Sequence, residues 1–311
     1  MASQQDKGRD EGAKKRSGGS KSEFNRASGS EDETPRMTKA QLLSMLQSRL
    51  PKAGTGNEYV TQEKERMVPT DKQKKLMRDV ENKDITIING PFGTGKTIWT
   101  CYMALKGLAE GKYNGVVINA PAVEADEKLG FLPGNQDEKM YPHVLQLLES
   151  FDDWVGEDLR QNMVRMGLIR IEPHAFMRGR TFKKKLCIFD ECQNATAKNL
   201  GTAISRLGAG SAMVFMGDDD QNDRTNSRSA FMAMIDLYAN NPDYSGEIGY
   251  VKFDSKDCRR HPLLQKMIER GDVQKLKDLA SAQAQPQKLA GERQPSATRP
   301  PVPATNALTP S

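Results

Sequence analysis

Residues 90–97 read Gly-Pro-Phe-Gly-Thr-Gly-Lys-Thr, a complete G-x-x-x-x-G-K-[ST] phosphate loop. They follow the apolar residues Ile85, Ile87 and Ile88, which a buried strand would supply. The glycines allow the backbone to wrap around phosphate groups with its amide hydrogens pointing inward, and the helix that follows adds its positive N-terminal end. We therefore predict a site for ATP and Mg²⁺ formed by Gly90, Gly93, Thr94, Gly95, Lys96 and Thr97.

Lys96 and Thr97 have different predicted roles in this loop. The Lys96 ammonium would reach the β- and γ-phosphates, and the Thr97 hydroxyl would bind magnesium. The alternative is a glycine-rich turn that matches by chance. The strand before it and the helix after it favour the nucleotide site.

Two acidic residues follow another predicted strand, 186–190. The run Leu-Cys-Ile-Phe-Asp ends in Asp190 and continues with Glu191, which is the arrangement of a Walker B motif. Because functional groups gather at the carboxyl ends of parallel strands, we expect Asp190 to approach the magnesium at Thr97. Glu191 would face the γ-phosphate and orient a water molecule. Two solvated acids after a strand are the structural alternative.

A third strand, 212–217, precedes the polar run Asp218-Asp-Asp-Gln221. If this strand ends at the same edge of the sheet, Gln221 is in a position to sense the γ-phosphate. The acidic run is interpreted as a solvated turn, since a phosphate-bound magnesium keeps several waters and takes few protein carboxylates.

Gln73 has two interpretations that the sequence leaves open. It lies shortly before the first strand, where helicase-like ATPases often have a glutamine that contacts adenine. It also lies three residues after Thr70, the spacing of a capping box, so it could serve only to satisfy a helix terminus.

Arginine stabilises the charge that spreads over a transferring phosphoryl group, so arginines in turns are candidates for catalysis. For any single arginine, a solvated surface position is the ordinary expectation. The candidates are Arg178, Arg180, Arg206, Arg259 and Arg260.

From Pro69 onwards, short apolar runs alternate with helical patterns, which is typical of an α/β fold with helices on the faces of a mostly parallel sheet. The predicted strands are 85–89, 115–119, 168–172, 186–190, 212–217 and 248–253. The predicted helices are 70–80, 97–110, 143–148, 153–166, 199–206, 228–238 and 262–269.

Composition divides the 311 residues into a folded centre and two polar ends. The net charge is +5 and the mean hydropathy is −0.69, which is low for a wholly packed chain. We expect residues 1–37 to form a disordered arm and residues 273–311 a mostly disordered tail, because neither can bury enough apolar surface to offset its ordering entropy. The predicted ATPase domain is 65–272.

Residues 38–64 are predicted to form a short amphipathic helix and a linker. Thr38 and Gln41 have capping-box spacing, and Pro51 closes the helical pattern. The helix could dock a partner or a neighbouring subunit. Packing on its own domain is the slightly favoured alternative.

The cysteines and the apolar stretches of the sequence argue against a zinc-binding, disulfide-bonded or membrane-spanning protein. The four cysteines form no C-x-x-C pair and the three histidines are far apart in sequence, so we expect neither a zinc site nor disulfides. No stretch approaches the roughly 20 apolar residues of a membrane span, and the N-terminus is charged where a signal peptide needs an apolar core. We therefore expect no membrane and a cytoplasmic location, which is the host cytoplasm for a phage-encoded chain.

Over residues 73–269 these segments closely resemble the PhoH family of ATPases, helicase-like proteins often encoded by bacteria and phages. Gly-Phe-Leu-Pro-Gly, Arg-Gly-Arg-Thr and Asp-Glu-x-Gln-Asn in this order are far more specific than the phosphate loop alone. The matching blocks are residues 90–97, 121–124 with 127–134, 177–181, 190–194, Arg206 with Gly208, Gly217 and Asp218 with Gln221 and Asp223, and 260–262. Ala120 and Asp126 depart from the family, which usually has an arginine and a glycine there.

The resemblance implies a P-loop NTPase with a single RecA-like domain, similar to the first motor domain of superfamily 1 helicases. It also implies homo-oligomeric assembly into a ring such as a hexamer. Arg260 is then the finger arginine that acts across a subunit boundary, and Gln221 and Arg206 read the nucleotide state.

Two functions of different classes remain open from the sequence. The first is an ATPase that couples hydrolysis to binding or remodelling of RNA or single-stranded DNA, which the basic net charge and Lys183-Lys-Lys185 favour. The second is a nucleotide-switched regulatory or interaction protein without motor activity, whose disordered arms recognise partners.

Overall fold

The computed structural model describes residues 37–52, 59–62, 66–120, 136–173, 179–219, 229–259 and 262–272, together with residues 275, 276 and 279. The predicted arms fall almost wholly outside this part of the chain, and so do Asp126, Gln221 and Arg260.

The described residues form an α/β fold. Its elements in chain order are α1 (Lys39–Arg49), β1 (Tyr59–Val60), β2 (Arg66–Met67), α2 (Asp71–Asn82), β3 (Ile85–Asn89), α3 (Lys96–Ala109), β4 (Gly115–Ala120), α4 (Gln136–Val155), α5 (Glu157–Arg165), β5 (Ile169–Pro173), β6 (Lys185–Phe189), α6 (Ala197–Ile204), β7 (Ala212–Gly217), α7 (Ala230–Tyr238), β8 (Ile248–Lys252) and α8 (Pro262–Glu269).

Six strands form one sheet in the order β5–β4–β6–β7–β3–β8, and every neighbouring pair is parallel. All residues of β3 and β7 are buried, because helices cover both faces of the sheet. The predicted α/β fold is confirmed, and its sheet is parallel throughout. This order places the ends of β6, β7 and β3 side by side.

The hydrophobic core lies in two layers, one on each face of the sheet. The larger layer packs α1 to α5 against the sheet around Trp99, Phe151 and Trp154. The smaller layer lies beneath α6 and α7 and contains the stacked rings of Phe189 and Phe215.

Helix α1 packs on its own domain, as the favoured alternative predicted. Leu42 and Leu46 are fully buried against the larger core layer, and the Thr38–Gln41 capping box is present. Arg49 donates two hydrogen bonds to Asp158 on α5, at 2.6 and 2.8 Å, and this contact lowers the pKa of Asp158. The apolar face of α1 is therefore occupied within the chain.

A small antiparallel hairpin, β1–β2, joins the end of the predicted linker to the start of the predicted ATPase domain, and neither strand was predicted from the sequence. Tyr59 packs edge-on against Trp99 and Tyr102 of α3, with ring centroids 5.1 Å apart in both pairs. Gln62 donates its backbone N–H to Asp153 O at 2.8 Å, which attaches the hairpin to the end of α4. Two-residue strands carry too little alternation to be recognised from sequence.

The break between the predicted helices 143–148 and 153–166 was placed wrongly. Helix α4 continues to Val155 because Phe151 and Trp154 are buried on its inner face. The helix ends at Gly156, whose φ of +81° lies in the left-handed region that favours glycine. None of the helices in the described ranges is long and apolar enough to cross a membrane.

Candidate nucleotide-binding site

The phosphate loop connects the end of β3 to the first turn of α3, as the sequence predicted. Gly95 is the N-cap of α3 with a φ of +86°, and a Cβ there would lie 2.7 Å from Gln73 Nε2. Gly90 has a φ of +147°, and a Cβ there would lie 2.6 Å from Phe253 Cβ. Both positions therefore require glycine, for space as well as for backbone conformation.

Gln73 of α2 supports the phosphate loop through a hydrogen bond. Its side chain completes a capping box with Thr70 at the start of α2, and its Nε2 donates to Thr94 O at 2.8 Å. Only 4% of Gln73 is exposed. The structural interpretation is therefore present in the fold, and a contact between Gln73 and adenine stays a prediction.

Lys96 and Thr97 lie at the start of α3 and face the same cavity. Lys96 Nζ donates to Pro91 O at 2.8 Å and to Gly90 O. The ammonium group is thus held over the phosphate loop itself, where it can transfer its hydrogen bonds to phosphate oxygens.

Asp190 directly follows β6 and lines this cavity together with Thr97. Burial, assisted by the neighbouring Glu191 carboxylate, raises the pKa of Asp190 to about 6, whereas the Lys96 charge opposes the shift. One carboxylate and one hydroxyl are oxygen donors that suit a magnesium ion which keeps most of its waters. The residues present therefore fit the predicted cation.

Glu191 has a φ of +54°, which is uncommon for a residue other than glycine. Its side chain is held by Gln193, whose Nε2 donates to Glu191 Oε2 at 2.6 Å. The other end of the Gln193 amide accepts a hydrogen bond from Asp218 N at 3.1 Å. Gln193 is only 3% exposed, so this bridge between the ends of β6 and β7 is enclosed by protein.

Gln193 belongs to the Asp-Glu-x-Gln-Asn block, but no pattern along the chain predicts this bridging position. Asn89 was also missed. Its Oδ1 accepts a hydrogen bond from Asp219 N at 3.2 Å, which joins the end of β3 to the end of β7. The amide of Asn89 at the last position of a mostly apolar strand is the feature of the sequence that could have indicated this contact.

The cavity at this edge of the sheet has a volume of about 750 Å³. The phosphate loop, the start of α3, one side of α4, the hairpin and the ends of β6 and β7 form its walls. Its lining residues include Met67, Val68, Phe92, Lys96, Thr97, Asp153, Asp190, Glu191, Asp218 and Arg259.

The candidate arginines differ in their position relative to the cavity. Arg206 does not line the cavity. It follows α6, which runs from the carboxyl edge of the sheet back to the amino edge, and its carbonyl accepts a hydrogen bond from Phe182 N near the start of β6. Arg206 therefore lies away from the cavity of its own chain, and its role in reading the nucleotide state stays a prediction. Arg180 pairs with Glu172 at 2.8 Å, and Arg178 lies outside the described residues.

Gln221 and Arg260 also lie outside the described residues, and their roles stay predictions. Hydrogen bonds hold residues that flank Gln221 and the residue that precedes Arg260. Ser229 Oγ donates to Asp219 Oδ1 at 3.0 Å, and Arg259 N donates to Gly93 O of the phosphate loop at 2.9 Å. Ala120 is the last residue of β4.

The family model and three relatives that match this chain are all described as PhoH or PhoH-like proteins. The family model described as PhoH-like protein matches residues 67–271, well over half of the chain. The PhoH-like protein of Bacillus subtilis (strain 168) is 35% identical over 207 residues, 67% of this chain and 64% of the relative. That of a Synechocystis species is 32% identical over 200 residues, 64% and 60% of the two chains. Protein PhoH of Escherichia coli (strain K12) is 30% identical over 194 residues, 62% and 54%.

The match thus spans less than two thirds of the length of these relatives. Among solved structures, the UvsW helicase from bacteriophage T4 is similar over 71% of this chain and 68% of that chain, with a TM-score of 0.38 and 14% identity, which is too weak to support an argument. The family model covers the phosphate loop, the Walker B carboxylates and the strands that position them. This chain is a P-loop NTPase-like protein that belongs to the PhoH-like protein family.

Proposed function

We propose that this protein binds and hydrolyses ATP with Mg²⁺ and couples hydrolysis to binding or remodelling of RNA or single-stranded DNA. The observation that carries the ATPase part is one cavity lined by Lys96, Thr97, Asp190 and Glu191. These residues come from two separate strand ends, and together they supply phosphate charge, oxygen ligands for a cation and a carboxylate for water.

Each residue has one role in this proposal. The amide hydrogens of the phosphate loop and the Lys96 ammonium would bind the phosphates. Thr97 and Asp190 would hold a magnesium ion, which would supply neutralising charge for the transferring group. Glu191 accepts a hydrogen bond from the attacking water. Gln193 keeps the Glu191 carboxylate facing the cavity through the 2.6 Å hydrogen bond.

Arg260 is proposed as the finger arginine of a neighbouring subunit in a homo-oligomeric ring. Its neighbour Arg259 is anchored to Gly93, so the chain enters this segment at the nucleotide site. Gln221 is proposed as the sensor of the γ-phosphate, because the chain before it leaves the end of β7 beside Asp218.

Coupling to nucleic acid is supported by the net charge of +5 and by the lysine run at 183–185. A nucleotide-switched interaction protein is the second candidate. The two differ in one measurement, the ATPase rate titrated with single-stranded RNA and DNA at several salt concentrations. Stimulation that weakens steeply with salt supports the first, and a rate indifferent to both polymers contradicts it.

The ATP site is tested by Lys96→Ala. Lys96 supplies charge to phosphates and lies outside the packed core, so the variant should lose ATP turnover while its circular dichroism spectrum barely changes. Lys252→Ala, at the exposed end of β8, is the matched control and should keep the parent rate. Turnover by Lys96→Ala close to that of the parent protein would show that the phosphate loop is not the site.

A further inference from the structure

Arg259 is an exposed arginine on the wall of the nucleotide cavity. Its backbone N–H donates to Gly93 O at 2.9 Å, which joins it directly to the phosphate loop. No carboxylate in the described ranges forms an ion pair with its guanidinium group. An exposed guanidinium group on the cavity wall that pairs with none of the described carboxylates is available to a ligand.

The turn that carries Arg259 is held in place by α2. Residues 255–257 form a short 3-10 turn with a capping box between Asp254 and Asp257. Lys72 of α2 donates to Asp254 Oδ2 at 2.8 Å and to Asp257 Oδ2 at 2.6 Å. Cys258 is buried, so the backbone on the N-terminal side of Arg259 is fixed by packing as well as by charge.

The position of this turn indicates which part of a nucleotide Arg259 would meet. The carboxylates Asp190, Glu191 and Asp218 line the cavity where β6 and β7 end, and their charge suits the cation and the γ-phosphate. Arg259 instead adjoins Gly93, beside Phe92, and the Lys72 ion pairs bring its turn next to the chain that begins α2.

That chain also supplies the apolar side of the cavity. Met67 and Val68 precede α2 and line the cavity, as does Phe92 of the phosphate loop. Apolar side chains suit an aromatic base better than they suit phosphates. Because hydrogen bonds attach the turn of Arg259 to α2 and to the residue after Phe92, we infer that Arg259 lies on the side of the cavity suited to the base.

We propose that Arg259 binds the nucleobase of the nucleotide held by its own subunit, with the plane of its guanidinium group stacked on the ring. This rests on the nucleotide binding proposed above. A guanidinium is planar and weakly hydrated, and it stacks on aromatic faces, whereas a lysine ammonium cannot. Since every base has a π-face, this contact adds affinity without selecting one base.

The test measures the affinity of the full chain for Mg·ADP, Mg·GDP and Mg·tripolyphosphate by calorimetry. Arg259→Ala should weaken both nucleoside diphosphates about tenfold, the size expected for the loss of one base-stacking contact. Tripolyphosphate, which has no base, should bind as it does to the parent. Arg259→Tyr, which keeps a stacking plane without charge, should restore the affinity, and Arg259→Lys should not.

Lys256→Ala is the control, because Lys256 is an exposed cation in the same turn that does not line the cavity. It should leave all three affinities unchanged. Equal losses for tripolyphosphate and ADP, or rescue by lysine and not by tyrosine, would make Arg259 a phosphate ligand and overturn the stacking contact. Unchanged ADP affinity in Arg259→Ala would exclude any contact.

A wrong assignment of the ATP site would give a different result in these binding measurements. Were the ATP site wrong, Lys96→Ala would bind Mg·ADP and Mg·tripolyphosphate as the parent does. If Lys96→Ala loses binding while Arg259→Ala keeps the parent affinity, the ATP site is supported and only the role of Arg259 is rejected. Circular dichroism of each variant establishes that the fold is retained.

Discussion

The amide of Gln193 joins two carboxyl-edge residues that are distant in sequence. It donates to Glu191 Oε2 and accepts from Asp218 N, so both ends of one small side chain are fixed. A Cβ on Gly217 would lie 2.9 Å from Gln193 Oε1, which shows how closely the end of β7 approaches it. The orientation of Glu191 therefore depends on a neighbour that supplies no chemistry itself.

Glu191→Gln should still bind ATP but lose hydrolysis. Glutamine keeps the shape of the side chain but is a weaker acceptor for the attacking water, whereas the proposal gives the phosphate and cation contacts to Lys96, Thr97 and Asp190. Equilibrium binding of labelled ATP and single-turnover hydrolysis separate the two properties. If the variant loses nucleotide affinity as severely as Lys96→Ala, Glu191 is a binding residue and this division of roles is wrong.

Gln193→Ala should lower kcat by roughly 10- to 100-fold with little change in KM, because a misplaced catalytic group costs rate rather than binding. Steady-state ATPase kinetics measure both constants. Asn194→Ala, one residue further on and only partly buried, is the control for local disturbance of the turn. A rise in KM with unchanged kcat would contradict a role in positioning Glu191.

At the scale of elements, α1 and the β1–β2 hairpin support the helix that follows the phosphate loop. Gln47 of α1 donates to Ala109 O at the end of α3 at 2.6 Å, and Tyr59 packs near its beginning. Both α1 and β1 precede residues 67–271, the range of the family match. This chain thus uses residues outside the family match to cover the outer side of α3.

Leu46→Ala should lower the free energy of unfolding by about 2–5 kcal/mol, the range for removing a fully buried leucine side chain. Leu46 packs in the larger core layer, so the loss should appear in global unfolding by urea. Ser44→Ala on the exposed side of the same helix should change stability by less than about 0.5 kcal/mol. Equal stability of Leu46→Ala and the parent would mean that α1 is not docked in solution.

For the whole molecule, the strand order explains how the site is assembled. Strands β6, β7 and β3 are neighbours in the sheet, although they start at residues 185, 212 and 85. Their carboxyl ends therefore bring Asp190, Asp218 and the phosphate loop to one cavity. In the function proposed above, Arg260 of a neighbouring subunit supplies a further charge from the far side of the nucleotide.

Two inactive variants should therefore complement each other. Lys96→Ala subunits keep the finger arginine, and Arg260→Ala subunits keep the phosphate loop, so mixed rings contain some complete interfaces. Mixing after subunit exchange should recover ATPase activity, in line with the roughly 10³ to 10⁵-fold contribution of finger arginines elsewhere. No recovery although mass photometry shows mixed assemblies, or full activity of a monomer, would place Arg260 in its own subunit or remove it from catalysis.

The local features of this protein could be predicted from its sequence. The phosphate loop, the Walker B carboxylates, the two predicted capping boxes and all six strands of the main sheet are contiguous patterns, and contiguous patterns report the conformation of their own residues. The family was recognisable for the same reason, because its motifs are short and ordered along the chain.

Contacts between residues that are distant in sequence became visible in the folded chain alone. The Gln193 bridge depends on adjacent strands β6 and β7, and the place of Arg259 depends on Lys72 of α2. Arg206, expected at the nucleotide, lies at the amino edge because helix α6 runs back across the sheet. Such contacts are set by strand order and helix direction, which no local pattern contains, because packing joins residues regardless of their separation in sequence.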